Sequence, residues 1–224
     1  SQPAHPPDST PTMRRFVSPP SPQPFAVPTV LMTGTSMSAG KTTAAKVIIR
    51  RLSKAGLRVL GAKLTGAGRY RDILHMADAG ADTIFDFVDV GLPSTVHPES
   101  EYERVVRELL AKMAAANPDV AVVEIGASPL EPYNGAAAIR AIKDSVQCTV
   151  LAASDPYAVY GVMKAFGMEP DLVTGIAANT EAGIELIEVL CDVTALNVTD
   201  PDTQPALDRI LTNTLDVAPS ALAL

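Results

Sequence analysis

A run of small residues followed by lysine and threonine, GTSMSAGKT at residues 34–42, lies between the apolar run VPTVLMT and the helical pattern TAAKVIIRRL. Five residues separate Gly34 from Gly40, one more than the usual spacing of a phosphate-binding loop. Small residues let the backbone curl so that successive N–H groups point inward, and the start of the following helix adds partial positive charge. The stretch predicts an anion-binding loop; a Gly/Ser-rich turn with a surface lysine is the alternative.

The chemistry that such a loop would serve is the binding of nucleotide phosphates. Lys41 would reach the β- and γ-phosphates, and Thr42 Oγ would coordinate Mg²⁺. The stretch therefore predicts a nucleoside triphosphate and Mg²⁺ as cofactors. The predicted nucleotide contacts in this loop are Gly34, Ser36, Ser38, Ala39, Gly40, Lys41, Thr42 and Thr43.

Two charged residues end predicted apolar strands elsewhere in the chain. Glu124 follows VAVV, and a carboxylate there is costly to bury unless a cation or a hydrogen-bond donor meets it. Lys63 lies at the end of another such run, and an ammonium group beside a phosphate loop is neutralised best by phosphate. An internal salt bridge for Glu124 and an ordinary snorkelling side chain for Lys63 are the alternative interpretations.

The elements that must position these residues alternate between short apolar runs and helical patterns from Pro28 onward. This alternation predicts an α/β fold of three layers, with a mostly parallel sheet and helices on both of its faces. In such a sheet, ligands collect where the carboxyl ends of the strands meet. Strands are predicted at residues 29–33, 58–64, 120–125, 147–152, 172–178 and 195–198, and helices at 41–55, 73–79, 99–116, 135–142, 157–166, 182–190 and 204–211.

Five stretches in chain order carry a resemblance to a known family. GTSMSAGKT resembles the G-T-x-x-x-x-G-K-T loop of dethiobiotin synthetase and of related ATP-dependent P-loop NTPases. The segments GAKLTG at 61–66, RYRDILHMA at 69–77, VAVVEIGAS at 120–128 and GIAANT at 175–180 are similar to later segments of that family. The resemblance covers residues 29 to about 200 and implies a P-loop NTPase fold, ATP and Mg²⁺ as cofactors, and a homodimer.

The resemblance also implies roles for individual residues. Lys63 would hold the acceptor or the transferred phosphate, so Lys41 and Lys63 are the candidate catalytic residues. Asp72 and Glu124 would join Thr42 as ligands of Mg²⁺. Asn179 would read the edge of the adenine base.

Two of these roles are open to other interpretations. Asp72 could cap the short helix predicted at 73–79, and Asp86 is the next candidate for the metal. Asn179 could be a turn residue that ends a strand. Because Asn179-Thr180 lacks the N-K-x-D pattern of a dedicated GTP reader, the sequence favours ATP over GTP.

The chain departs from the family on the side where the acceptor would bind. The family's E-G-A-G-G is replaced by EIGASP at residues 124–129, and the KLTG segment is shorter than its counterpart. The resemblance therefore favours a relative of dethiobiotin synthetase that acts on another small carboxylate or amine. The leading hypothesis is an ATP- and Mg²⁺-dependent ligase that transfers the γ-phosphoryl group to a small carboxylate or carbamate acceptor.

Two other functions stay open. The stretch GKTTAAKVIIRRLSKAGLRVLGAK at residues 40–63 also resembles the adaptor protein of molybdopterin-guanine dinucleotide synthesis, which would need a partner enzyme. Alternatively, the chain could be the C-terminal ATPase domain of a longer enzyme, since it begins with Ser1 and a proline-rich stretch. Residues 1–28 hold nine of the 19 prolines and are predicted to form an arm or linker before a nucleotide-binding domain at 29–224.

Composition narrows the classes of partner. Hydrophobic residues make up 47% of the chain, no tryptophan is present and the net charge is −7, so a nucleic acid is not expected as a partner. The apolar runs are shorter than the roughly 20 residues that span a bilayer, and the start of the chain lacks the order of a secretory signal. We therefore expect a cytoplasmic protein without a membrane partner, and the family resemblance implies a small-molecule acceptor.

Overall fold

The structure is a computed structural model that describes residues 12–126 and 128–215. Its centre is a sheet of six parallel strands in the order β3-β2-β4-β1-β5-β6. Every connection between sequential strands therefore crosses over the sheet, as the alternation of strand and helix patterns predicts. The strands are β1 (Thr29–Gly34), β2 (Val59–Lys63), β3 (Thr83–Asp86), β4 (Val120–Glu124), β5 (Val146–Ala152) and β6 (Leu172–Thr174).

Seven α-helices surround this sheet in the described residues. The longest, α3, begins after Pro98 and buries one apolar stripe that includes Tyr102, Leu109 and Met113. Its burial confirms the helix predicted from that stripe. The helices are α1 (Lys41–Lys54), α2 (Tyr70–Asp78), α3 (Glu99–Ala115), α4 (Gly135–Ile142), α5 (Pro156–Phe166), α6 (Glu181–Cys191) and α7 (Gln204–Thr214).

The helices form two layers because the strands are apolar on both faces. Val30 and Met32 of β1 belong to a core shared with α1, α2 and α7. Leu31, which points to the opposite face, belongs to a core shared with α3 and α4. On that same face, α5 and α6 cover Leu151 and Val173 at the β5–β6 edge. The three-layer α/β prediction is confirmed.

Three details of the sheet differ from the prediction. Strand β3 was not predicted, because it is an edge strand in which only the last residue, Asp86, is buried. The strand predicted at 195–198 is wrong: Ala195 makes one isolated bridge to Val173, and its burial comes from packing. The strand predicted at 172–178 ends at Thr174, and a short 3-10 helix (Ile176–Ala178) follows.

Residues 12–28, within the stretch predicted to be an arm or linker, contact the rest of the described chain at several points. Arg14 pairs with both carboxylate oxygens of Glu108 on α3 at 2.9 and 3.0 Å. Further along, Gln23 Nε2 donates to the Ala111 carbonyl, and Phe25 packs against the core beneath α3 and α4. Within the described residues, no helix is long and apolar enough to cross a membrane.

Candidate functional site

The loop between β1 and α1 has a backbone that only some residues can adopt. Ser38 and Gly40 both have positive φ, at 63° and 110°, which turns the chain sharply into the first turn of α1. Gly40 is the N-cap of α1 and provides no side-chain cap to the first amides of the helix. Those N–H groups and the helix dipole therefore face the loop, where an anion is stabilised.

The Lys41 side chain folds back over this loop. Its Nζ donates to the Ser36 carbonyl at 2.8 Å. A Cβ at Gly34 would lie 2.8 Å from Lys41 Cδ, so the close approach of this side chain requires glycine at the end of β1. Burial lowers the pKa of the Lys41 ammonium, and the negative charges of Glu124 and Glu131 oppose that shift.

Glu124 lies at the end of β4, beside the start of α1. Thr42 Oγ1 donates to Glu124 Oε2 at 3.0 Å, and the Glu124 residue is only 3% exposed. Burial raises the pKa of this carboxyl, while the positive charges of Lys63 and Lys41 oppose the shift. Glu124 is thus a buried carboxyl group that accepts a hydrogen bond from the Thr42 hydroxyl and is acted on by the positive charges of Lys63 and Lys41.

Lys63 ends β2, directly beside Glu124 in the register of the sheet. Its Nζ donates to Asp72 Oδ2 at 2.5 Å, and both side chains are largely removed from water. The ion pair at this end of the sheet joins Lys63 to Asp72, and the salt bridge considered as an alternative for Glu124 is a different pair. Lys63 is buried, so the interpretation of Lys63 as an ordinary snorkelling lysine is wrong.

The two candidate aspartates have different surroundings. Asp72 lies inside the first turn of α2, which begins at Tyr70, so it is not the residue that caps this helix. Asp86 caps a 3-10 helix by accepting from Val88 N at 2.7 Å, and the Asp86 amide donates to Asp89 Oδ2 at 2.8 Å. Burial raises the pKa of Asp86. Asp72 lines the same cavity as the loop of residues 34–42, which we call the phosphate loop, whereas Asp86 lines a different cavity.

A cleft of about 330 Å³ brings most of the predicted residues together. The phosphate loop forms one wall, and the ends of β2 and β4 with the start of α2 form the other. Sequence analysis missed several residues of the second wall, because their positions depend on contacts between distant loops. The cleft is lined by Met37, Ser38, Gly40, Lys41, Thr42, Thr43, Lys63, Gly66, Ala67, Arg69, Asp72, Glu124, Gly126 and Tyr133.

A buried threonine holds the second wall in place. Thr95 Oγ1 accepts from the Gly66 amide at 2.8 Å and donates to the Tyr133 carbonyl at 2.8 Å. Asn134 Nδ2 in turn donates to the Thr95 carbonyl at 2.8 Å. These bonds tie the loop after β2, the loop before α3 and the loop before α4 to one another. No sequence pattern pointed to Thr95, since its partners lie far away along the chain.

Asn179 lies apart from this cleft. It follows the 3-10 helix after β6 and is exposed at the same carboxyl edge of the sheet. The nearby Gly175 packs against the phosphate loop, where an added Cβ would lie 2.2 Å from the Ala39 carbonyl oxygen. On the adjacent strand end, the Ser154 amide donates to Thr35 Oγ1 at 3.0 Å. The roles assigned to Asn179 and to the cleft residues stay predictions.

The donor set at the cleft suits Mg²⁺ that arrives with a nucleotide. In the described residues, no group of three or more His, Cys, Asp or Glu side chains is arranged to hold a metal by itself. Mg²⁺ commonly uses one or two carboxylates and completes its coordination with water and substrate phosphates. Thr42, Glu124 and Asp72 lie around one cleft and match that pattern.

Comparisons with known proteins identify the fold of this chain but reveal no close relative in sequence. No family model and no curated protein match the sequence. The signal recognition particle 54 kDa protein of Aeropyrum pernix, solved with GDP, superposes with a TM-score of 0.53 at 12% identity. That alignment covers 89% of this chain and 45% of the archaeal chain, so this protein spans less than half of that relative.

Two further solved structures give the same result. Chloroplast FtsY from Physcomitrella patens has a TM-score of 0.52 at 14% identity, covering 92% of this chain and 66% of that one. HypB from Helicobacter pylori, solved with nickel, has a TM-score of 0.50 at 12% identity, and the alignment covers 86% of this chain and 91% of the HypB chain. The resemblance to dethiobiotin synthetases stays a prediction. The single six-stranded parallel sheet with helices on both faces is a P-loop NTPase α/β fold.

Proposed function

We propose that this protein binds a magnesium nucleoside triphosphate and transfers the γ-phosphoryl group to a small carboxylate or carbamate acceptor. The observation that carries the proposal is the cleft itself, because its two walls present different chemistry. One wall is the phosphate loop with Lys41 and Thr42, and the other presents Lys63 and Arg69. A triphosphate fits against the first wall, and an anionic acceptor fits between it and the second.

On the first wall, the backbone of the loop and Lys41 bind the phosphates. The amides at the start of α1 donate to phosphate oxygens, and the Lys41 ammonium exchanges the Ser36 carbonyl for a phosphate oxygen. Thr42, Glu124 and Asp72 are the residues that would hold Mg²⁺. When bound, the metal neutralises charge that spreads over the transferring group.

On the second wall, Lys63 lies where charge must be neutralised during transfer. The bond between the γ-phosphorus and its bridging oxygen breaks, a bond from phosphorus to an acceptor oxygen forms, and the nucleoside diphosphate keeps the bridging oxygen. Asp72 holds the Lys63 ammonium at the cleft before the reaction. Preorganised cations of this kind supply much of the rate in phosphoryl transfer.

We infer ATP as the nucleotide, with Asn179 at the base. The support is the short polar sequence Asn179-Thr180, which lacks the pattern of a dedicated GTP reader, and the position of Asn179 at the carboxyl edge of the sheet. Parallel measurements with ATP and GTP test this choice. Equal stabilisation by ATP and GTP would contradict the preference for ATP, but it would still support nucleotide binding at the phosphate loop.

A second candidate function is a nucleotide-dependent adaptor that acts on a partner protein. The observation that favours it is the exposed apolar surface of α5 and α6, where Tyr157 is 70% exposed and Val189 is 86% exposed. Nucleotide consumption distinguishes the candidates: a small carboxylate or amine raises it in the ligase, whereas only a protein partner raises it in the adaptor.

The first experiment is a thermal-shift screen of ATP, ADP and GTP with Mg²⁺, followed by small carboxylates and amines. A ligand present at 100 times its Kd stabilises the folded state by about 2.7 kcal/mol. We expect stabilisation by Mg·ATP in the unmodified chain and none in Lys41→Ala, whose fold is checked by circular dichroism. Equal stabilisation of both proteins would refute the assignment.

A further inference from the structure

The outer surface of α5 and α6 carries apolar side chains that no described part of the chain covers. Tyr157 and Tyr160 lie three residues apart on α5, so they share one face of that helix, and Leu186 and Val189 do the same on α6. All four side chains are exposed, and Val189 is exposed to 86%. Exposed apolar side chains grouped on neighbouring helices are typical of interaction surfaces.

A groove of about 340 Å³ lies between the carboxyl-terminal ends of these two helices; we refer to it as the α5–α6 groove. Tyr160 and Val189 stand at its sides, which makes the exposed faces of both helices continuous with it. Met163 and Met168 are also among its walls, and methionine side chains adapt readily to the shape of a bound apolar group.

The charge around the groove is strongly one-sided. Residues 155–200 contain eight Asp and Glu residues, one lysine and no arginine, so this segment alone carries the full net charge of −7 of the chain. Glu169 and Asp192 line the groove, and Glu185 and Glu188 are exposed on α6. The one lysine, Lys164, also lines the groove and lies over the Tyr160 ring at 5.5 Å, so the groove itself has two acidic residues and one basic residue.

This charge selects among the possible occupants. A second copy of the chain would bring the same acidic rim against itself, and an anionic membrane surface would be repelled. A cationic partner gains attraction at the rim while its apolar residues fill the centre. A helix with apolar residues on one side and Lys or Arg on the other provides the positive charge and the apolar side chains in one element. Amphipathic helices commonly bind in hydrophobic grooves of this kind.

We propose that the α5–α6 groove binds a basic amphipathic helix of a partner protein. Apolar residues of that helix pack on Tyr160, Val189 and the groove, and its Lys or Arg side chains pair with Glu185 and Glu188. The proposal rests on a surface away from the nucleotide cleft, so it stands independently of the proposed phosphoryl transfer.

The test uses three synthetic peptides of about 15 residues, a length at which isolated helices are marginally stable in water. The first is a Leu/Lys amphipathic helix, the second replaces every Lys with Glu, and the third keeps Lys but replaces every Leu with Ser. Each is titrated into the ¹⁵N-labelled full chain, with amide shifts and fluorescence anisotropy as readouts. We expect the Leu/Lys peptide to bind with shifts confined to α5 and α6, and the other two to bind at least about tenfold more weakly, since both contributions are needed.

Variants of the chain make the test specific to this surface. Tyr160→Ser with Val189→Ser is expected to weaken the Leu/Lys peptide about tenfold or more, as for the loss of central interface residues. Glu185→Gln with Glu188→Gln is expected to weaken it and to reduce its salt dependence. Val96→Ser is the matched control, because Val96 is 54% exposed before α3, and we expect no change.

Several results would overturn the proposal. The first is that the Leu/Lys and Leu/Glu peptides bind equally well. The second is that the amide shifts map outside α5 and α6. The third is that the double variant, Tyr160→Ser with Val189→Ser, binds the Leu/Lys peptide as tightly as the unmodified chain does. Sedimentation that reveals a dimer dissociated by Val189→Asp, without peptide binding, would assign the surface to a second copy instead and overturn it equally.

Discussion

The Thr42 hydroxyl donates a 3.0 Å hydrogen bond to Oε2 of Glu124, so the first turn of α1 and the end of β4 are joined at one carboxylate. The Thr42 hydroxyl and the Glu124 carboxylate are both proposed to hold Mg²⁺. Their hydrogen bond links the end of the phosphate loop to the end of β4. Since Glu124 is almost completely buried, its charge is costly even with the positive charges of Lys63 and Lys41 acting on it. Because of this cost, substitution of Glu124 is expected to change the stability of the fold separately from its effect on Mg²⁺ binding.

The pH dependence of stability should report the buried charge of Glu124. Burial raises its pKa above the ordinary value of 4.5, so the folded protein binds this proton more tightly than the unfolded chain does. The contribution of Glu124 to the free energy of unfolding therefore falls as pH rises from 4.5 through the raised pKa. Glu124→Gln removes this loss, and we expect its melting temperature relative to the unmodified chain to increase across that window. Melting curves at a series of pH values check this, and a pH-independent difference would contradict it.

Replacing Gly34 with alanine should disturb the Lys41 side chain. The new Cβ would lie 2.8 Å from Lys41 Cδ, and the flexible lysine must move away from the loop. We expect the Kd for Mg·ATP, measured by calorimetry, to rise about tenfold, which corresponds to 1.4 kcal/mol. Gly161→Ala is the matched control, because a Cβ there meets nothing within 4 Å; it should stabilise α5 by about 0.5–1 kcal/mol and leave nucleotide binding unchanged. Equal nucleotide affinity in both variants would argue against the role of Gly34.

Two aspartate substitutions distinguish the candidate metal ligands. Asp72→Asn should raise the Mg²⁺ concentration needed for half-maximal turnover, because Asp72 lines the cleft and holds Lys63. Asp86→Ala should leave that concentration unchanged but lower stability by about 1 kcal/mol, since Asp86 caps a short helix and alanine cannot accept the cap hydrogen bond. Titrations of Mg²⁺ together with chemical denaturation measure both effects. The reverse pattern would move the metal to Asp86.

Arg69 provides a test of the acceptor side of the cleft. Arg69 lines the wall opposite the phosphate loop, where the acceptor is proposed to bind. Once a small-molecule acceptor is found, Arg69→Ala should raise the KM for that acceptor about tenfold or more, as expected for loss of a charged hydrogen bond, with the Kd for nucleotide unchanged. Arg71→Ala is the control, because the Arg71 side chain contacts His75 on α2. A similar KM for both variants would remove Arg69 from the acceptor site.

Local patterns in the sequence were sufficient to predict the phosphate wall of the cleft. Gly34 to Thr43 are contiguous, and Lys63 and Glu124 end strands whose apolar runs are easy to recognise. Because the carboxyl ends of parallel strands meet at one edge, the convergence of these residues follows from the fold class. The second wall is different: Gly66 and Tyr133 lie far apart in the sequence and are brought together by hydrogen bonds to buried Thr95.

The errors in the predicted sheet have a common physical origin. Apolar periodicity reports burial, and burial arises both from strand pairing and from packing of irregular backbone. Ala195 and Val198 are buried without forming a strand, so their pattern predicted one wrongly. The edge strand β3 has the opposite character, because Thr83 is exposed and its pairing with β2 leaves little apolar signal.

The most direct test of the central claim is a crystal structure of the full chain with Mg²⁺ and a non-hydrolysable ATP analogue. We predict triphosphate density enclosed by residues 34–42, with Lys41 Nζ moved from the Ser36 carbonyl to a phosphate oxygen and Mg²⁺ beside Thr42. A loop without phosphate, in which Lys41 Nζ still donates to Ser36 at saturating nucleotide, would contradict the account.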